Sequence, residues 1–200
     1  MYDHEEFLEL LTNEALRCRL AFESFMRLLE SHFAQGKSDD TLTWLLIQDR
    51  YIAWIAHLHE FLKACYAQDL SVMPSKLDCE LIKRVEIKKN EVYKLVDSRL
   101  DEYGALAVDT VGKSELDKDI VFSSGFGESM RKVRNKYFAH LDSERITLDW
   151  IGEFTDKHYF TAFCCYKQSV LRHARLGNIP DRNVKTLEGF RDKLLSISDR

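Results

Sequence analysis

Residues 40–70 read DTLTWLLIQDRYIAWIAHLHEFLKACYAQDL, and this stretch decides the fold. Trp44, Ile47, Tyr51, Trp54, Leu58, Phe61 and Cys65 recur at alternating steps of three and four, so they fall on one stripe of an α-helix. No proline or glycine interrupts them, and Asp39 or Asp40 supplies an N-cap whose carboxylate can accept the first free N–H groups. A helix from about residue 40 to Leu70 follows. An isolated apolar stripe of that length has to be covered by other helices, which makes the rest of the chain the next question.

Upstream, Phe7, Leu10, Leu11, Leu16, Leu20, Phe25, Leu28 and Leu29 repeat mostly at helical steps. They predict a first helix from about Asp3 to Ala34, closed by Gly36. Downstream, Pro74 separates a third helix, Lys76 to Tyr103, with Leu81, Val85, Val92, Val96, Leu100 and Tyr103 on one face and Gly104 as its stop. Residues 105–126 carry Gly112, a charged run from Lys113 to Asp119 and Ser123-Ser124-Gly125-Phe126-Gly127, a pattern that fits a long irregular loop. Helices are expected again over Glu128–Ala139, over Thr147–Leu176 with Trp150, Phe154, Phe160, Phe163, Tyr166 and Leu171, and over Asn183–Ile197. The chain has two prolines, and residues 1–103 hold one glycine, too few for the tight turns of a β-protein. The expected fold is all-α: one domain over 1–200, an antiparallel bundle of about five to six long helices, with a loop at 105–126 and a C-terminal helix over 181–200 as an appendage.

Composition narrows function by exclusion. A formal net charge of −4 argues against a protein that binds nucleic acid through its overall charge. The acidic start, Met1-Tyr2-Asp3-His4-Glu5-Glu6, lacks the basic beginning of a secretory signal, and no uncharged apolar run approaches the roughly 20 residues that span a bilayer. A soluble, cytoplasmic protein without membrane contact is expected. Five cysteines form no Cys-x-x-Cys pair; Cys18, Cys65, Cys164 and Cys165 sit among helical apolar residues and read as buried thiols rather than disulfides or zinc ligands.

Chemistry concentrates in Arg134-Asn135-Lys136-Tyr137-Phe138-Ala139-His140, followed by Leu141-Asp142. Between Arg131 and Arg145, five basic residues (Arg131, Lys132, Arg134, Lys136, Arg145) face two acidic ones, a local positive patch in an acidic chain. A guanidinium suits phosphate because its planar fork donates twice and keeps its proton. An imidazole is the side chain that titrates near neutral pH. Six residues along a helix turn about 240° and rise about 9 Å, so Arg134 and His140 do not share a face of a continuous helix. They converge if the helix ends near His140 or if a second subunit brings its own copy. If the helix continues, Lys136 stands one turn before His140, where its ammonium favours the neutral ring that acts as a base. Met130, Val133, Tyr137 and Leu141 fall on the opposite, buried face. The bland alternative keeps the same residues structural: Arg134 paired with an acid such as Asp142, His140 capping its helix end, and Asn135 supporting a turn.

The string resembles the Arg-x(4-6)-His signature of the HEPN superfamily, and within it the abortive-infection U-type branch, where a similar Arg-Asn-Lys-aromatic-aromatic-Ala-His-Leu-Asp run occurs. Arg27 with His32 and Arg50 with His57 match the minimal spacing too, but lie inside amphipathic helices without the following asparagine. The resemblance implies a helical homodimer whose two motifs face each other across a two-fold cleft. It also implies a metal-independent endoribonuclease of a phage-defence or toxin–antitoxin system, with no cofactor. RNA would be its substrate, and a cognate antitoxin or nucleotidyltransferase-type protein its partner. His140 and Arg134 would then be catalytic, as acid/base and phosphate stabiliser, and Asn135, Lys136 and Arg131 would bind substrate. A non-catalytic HEPN-like module that binds RNA or a partner protein, and a ligand-binding sensor bundle with the 105–126 loop as lid, stay open beside it.

Other clusters carry less. His57 and His59 point about 200° apart on a helix and read as rim positions, so no metal site is expected. His158 and His173 have no acidic neighbour at ligand spacing. Tyr159, Phe160, Phe163 and Tyr166 read as core, and Val111-Gly112-Lys113-Ser114 lacks the earlier glycine of a phosphate loop.

Overall fold

The computed structural model describes residues 4–34, 41–112, 121–138, 149–173 and 182–198, and every regular element among them is helical. Seven helices organise them: α1 His4–Ala34, α2 Thr41–Asp69, α3 Leu77–Val85, α4 Val92–Ala107, α5 Phe126–Phe138, α6 Asp149–Cys165 and α7 Arg182–Ser198. A wide turn, Val108–Gly112, extends α4; another, Tyr166–Val170, extends α6 and runs into a last turn, Leu171–His173. No helix of the described residues is long and apolar enough to cross a membrane.

The all-helical expectation holds, and α2 is its centre. Besides the predicted stripe, Ala53, Ile55, Ala56 and Leu62 are buried, because α1 packs along one side of the helix and α4 and α5 along another. A helix apolar nearly all round belongs inside a bundle. Where α1 meets α2 an aromatic seam forms. Phe22 lies 4.7 Å from Trp54 and 4.4 Å from Tyr166, while Phe25 lies 5.2 Å from Tyr51 and 5.1 Å from Phe190, between ring centroids. Tilted and edge-on pairs of this kind add about 0.5–1.5 kcal/mol each beyond the area they bury. Tyr159, Phe160, Phe163 and Tyr166 are core, as expected. So are Cys18, Cys164 and Cys165, whereas Cys65 is half-buried.

Three boundaries differ from expectation. On α1 the buried stripe is Phe7, Leu11, Ala15, Cys18, Phe22, Phe25 and Leu29, and Leu10, Leu16 and Leu20 face outward. The true seam runs through small Ala15 and Cys18, which large-residue periodicity passes over. The single third helix is two: α3 ends at Glu86, which adopts a left-handed conformation (φ 52°, ψ 32°), and α4 begins after a tight turn over Lys89–Glu91. Gly104 does not stop α4 but lies buried inside it. A Cβ there would stand 2.8 Å from Phe122 Cε2 and 2.9 Å from Phe126 Cδ1, so the glycine lets the chain on either side of α5's start close on α4. Helical backbone therefore continues through the expected loop start to Gly112, with Val108 and Val111 buried. Residues 113–120 lie outside the described residues, and 121–125 are irregular.

Candidate functional site

The helix that carries the motif, α5, is fixed by its crossing with α4. A Cβ on Gly127 would overlap the carbonyl oxygen of Asp97, so at this point the two backbones touch. One turn along α4, the Asp101 carboxylate accepts the N–H groups of Gly125 (3.0 Å) and Gly127 (2.7 Å). It satisfies free donors at the start of α5 from a neighbouring helix and places negative charge at the positive end of the helix dipole. Phe126, Met130 and Val133 are fully buried below. The opposite side of α5 presents Arg131, Arg134 and Asn135.

Both guanidiniums are held. Arg131 Nε donates to Asp97 Oδ2 at 2.8 Å and Oδ1 at 3.1 Å, and its guanidinium carbon stands 4.7 Å over the Tyr93 ring. Arg134 Nε donates to Glu60 Oε1 at 2.6 Å, and its Nη1 donates to Asn135 Oδ1 at 3.1 Å. The same Glu60 oxygen accepts from His59 Nδ1 at 3.3 Å, in the tautomer that carries its proton there. Around these groups lies a cavity of about 260 Å³, walled also by Lys63, Asp78, Lys89 and the first residues of α4, Val92 and Tyr93. A second cavity, about 420 Å³, lies on the other side of Arg131 and is more acidic, with Asp97, Asp101 and Glu128 in its wall.

Of the residues expected to act, Arg131, Arg134 and Asn135 thus line one cavity. Lys136 is half-buried on α5 but does not line it. His140, Leu141 and Asp142 lie outside the described residues. His59 corrects the rim assignment: it is 4% exposed, and its Nε2 has no hydrogen-bond partner among the described residues. His57 instead ties α2 to α1 through Glu14, at 2.7 Å.

The carboxylates divide by environment. Burial alone would raise Glu60, but the His59 hydrogen bond and charge, together with Arg134, outweigh it and bring the carboxyl to about 2. A group so acidic stays ionised at neutral pH and is a poor proton acceptor. Burial raises Asp97, and the bifurcated bond and charge of Arg131 offset only part of that. Glu60 is thus ill-suited to exchange protons with a substrate, while the cations of the cavity wall can hold and orient an anion.

Glu60 and Asp97 escaped sequence reading. They reach Arg134 and Arg131 across 74 and 34 residues, a distance no local pattern spans. The available signal was Glu60, an acid set among the apolar residues Leu58, Phe61 and Leu62 of α2. Comparison with protein-family models, with curated proteins and with solved structures finds no match to this chain.

Proposed function

We propose that this chain is a HEPN-like protein that engages RNA on the cavity-bearing side of α5 and cleaves it without a metal, as part of a phage-defence or toxin–antitoxin system. The supporting observation is the clamp on Arg134. Glu60 fixes its Nε edge in a wall that also carries Lys63, Lys89, Arg131 and Asn135, so a chain of net charge −4 concentrates cations beside the motif. A side chain pinned by a neighbour loses less freedom when it meets a phosphate, and held donors are what a developing charge requires.

In this reading His140 takes the proton of the RNA 2′-hydroxyl, the 2′-oxygen attacks the adjacent phosphorus, and Arg134 stabilises the charged phosphorane. The bond from phosphorus to the 5′-oxygen then breaks, that oxygen receives a proton, and a 2′,3′-cyclic phosphate and a 5′-hydroxyl remain. Acid and base come from the two copies of the motif in a homodimer, and an antitoxin or nucleotidyltransferase-type partner restrains the enzyme. A second reading, a non-catalytic module that binds RNA or a partner, is favoured by the same ion pairs: Arg131–Asp97 tie α5 to α4, and Arg134–Glu60 tie it to α2. Purified protein incubated with RNA in EDTA separates the two. The enzyme reading expects 2′,3′-cyclic phosphate ends that vanish in a folded His140→Ala variant. RNA binding without cleavage supports the module and removes the nuclease.

A further inference from the structure

The geometry points to a discrete phosphate-binding pocket between α2, α4 and α5, built on Arg131 and Lys89. The RNA reading supplies one source of the phosphate, but the pocket itself rests on donors that the protein leaves unused. Arg131 spends only its Nε edge on Asp97; its two terminal amino groups have no acceptor among the described residues. Lys89 has no carboxylate within ion-pair distance among those residues either, and the Asn135 amide, whose oxygen takes the Arg134 bond, has both of its N–H donors left over. Lys63 completes the wall, with Asp78 at 3.5 Å as its loose counter-ion.

The backbone adds to this. Val92 and Tyr93, the first residues of α4, line the cavity, and neither α4 nor the Lys89–Glu91 turn before it has a side-chain cap. Uncapped N–H groups and the positive end of a 16-residue helix therefore meet the same space as the cations. Behind the wall, His59 is 4% exposed and lines the cavity with an unpartnered Nε2, which in the Nδ1-protonated tautomer can accept a hydrogen bond from the hydroxyl of a protonated phosphate. Four cations, Lys63, Lys89, Arg131 and Arg134, against Glu60 and Asp78 in the wall and Asp97 beside Arg131 leave the pocket positive.

Size selects the ligand. Sites that enclose a whole small molecule run to roughly 300–1,000 Å³ and are mostly apolar. This cavity, at about 260 Å³ and walled largely by charge, fits a phosphate group with little of what is attached to it. The planar fork of Arg131 suits its paired oxygens.

The test is an NMR titration of the full chain with inorganic phosphate at constant ionic strength. Saturable shifts are expected at the amides of Val92, Tyr93, Arg131 and Asn135. Lys89→Glu, at an exposed position of a short turn, should weaken binding about tenfold or more, the scale of one lost charged contact. Arg131→Lys should weaken it several-fold, since it keeps the charge toward Asp97 but loses the fork. Lys157→Ala, at an exposed position of α6 away from the cavity wall, should bind phosphate as the parent chain does. Parallel titrations with a nucleoside 5′-monophosphate and a dinucleoside monophosphate tell a terminal phosphate from a backbone one by which binds more tightly. Non-saturating shifts, or a Lys89→Glu chain that binds as before, would overturn the pocket whether or not RNA is cut. Saturable binding in a chain that never cuts RNA would remove the nuclease and leave the pocket standing.

Discussion

Tyr51 and Trp54 meet α1 and α7 through rings, whereas Glu60, less than two turns beyond Trp54 on the same helix, meets α5 through charge, and α5 in turn meets α4 through Arg131 and Asp97. In the aromatic seam each ring has several neighbours: Trp54 packs against Phe22, Phe25, Tyr51 and Tyr166. At the charged junction the contacts are ion pairs between single side chains, Arg131 with Asp97 and Arg134 with Glu60. The first arrangement is insensitive to small shifts and stores stability. The second is specific in geometry and contributes little net stability, because desolvating ions offsets much of their attraction. A fold that needed only to hold α2, α4 and α5 together would do as well with apolar contacts there.

The contrast is sharpest in the seam. Trp54→Ala removes a fully buried indole and should cost about 3–5 kcal/mol, lowering Tm by roughly 10 °C in calorimetry. A loss below about 1 kcal/mol would mean that the seam is not where stability resides. Next comes the frame of the junction. Gly127→Ala forces a methyl group against the Asp97 carbonyl and should cost about 1–3 kcal/mol by pushing α5 off α4. Because the motif moves with α5, RNA binding should fall in the same variant even below its Tm; unchanged RNA binding would show that α5 is free to adjust.

Smaller still is the acid response of the junction. The folded-state pKa of Glu60 lies below its unfolded value, so its contribution is present above about pH 4.5 and is lost as pH falls toward about 2. With solvent screening of a part-exposed pair, that amounts to on the order of 1–2 kcal/mol. Asp97 acts with the opposite sign, since burial raises it and protonation relieves a cost. Denaturant titrations at stepped pH should therefore show a decline for the parent chain that is shallower in Glu60→Gln. Identical slopes would remove Glu60 from the account.

What was legible in the sequence follows from the same physics. The α2 stripe was readable because Trp44, Ile47, Tyr51 and Trp54 are large and evenly spaced. The α1 stripe was misplaced because two of its positions are Ala15 and Cys18 while Leu16 and Leu20 sit outside. The break at Glu86 carries no glycine or proline, so a left-handed residue there left no mark. Gly104 did leave a mark, but one that close packing and helix termination share. At the site, Arg131, Arg134 and Asn135 could be named from their own string. Glu60 and Asp97 could not, since their roles come from the crossing of α5 with α2 and α4.

The central claim is that the charged junction exists for what Arg134 does to RNA rather than for the stability of the bundle. Arg134→Gln tests it in one preparation, by measuring RNA cleavage in EDTA beside Tm. The account predicts a fall in cleavage rate of about a hundredfold or more, the scale of a lost donor to developing charge, with stability changed by about 1 kcal/mol. A variant that cleaves like the parent chain, or one that loses as much stability as Trp54→Ala, contradicts it.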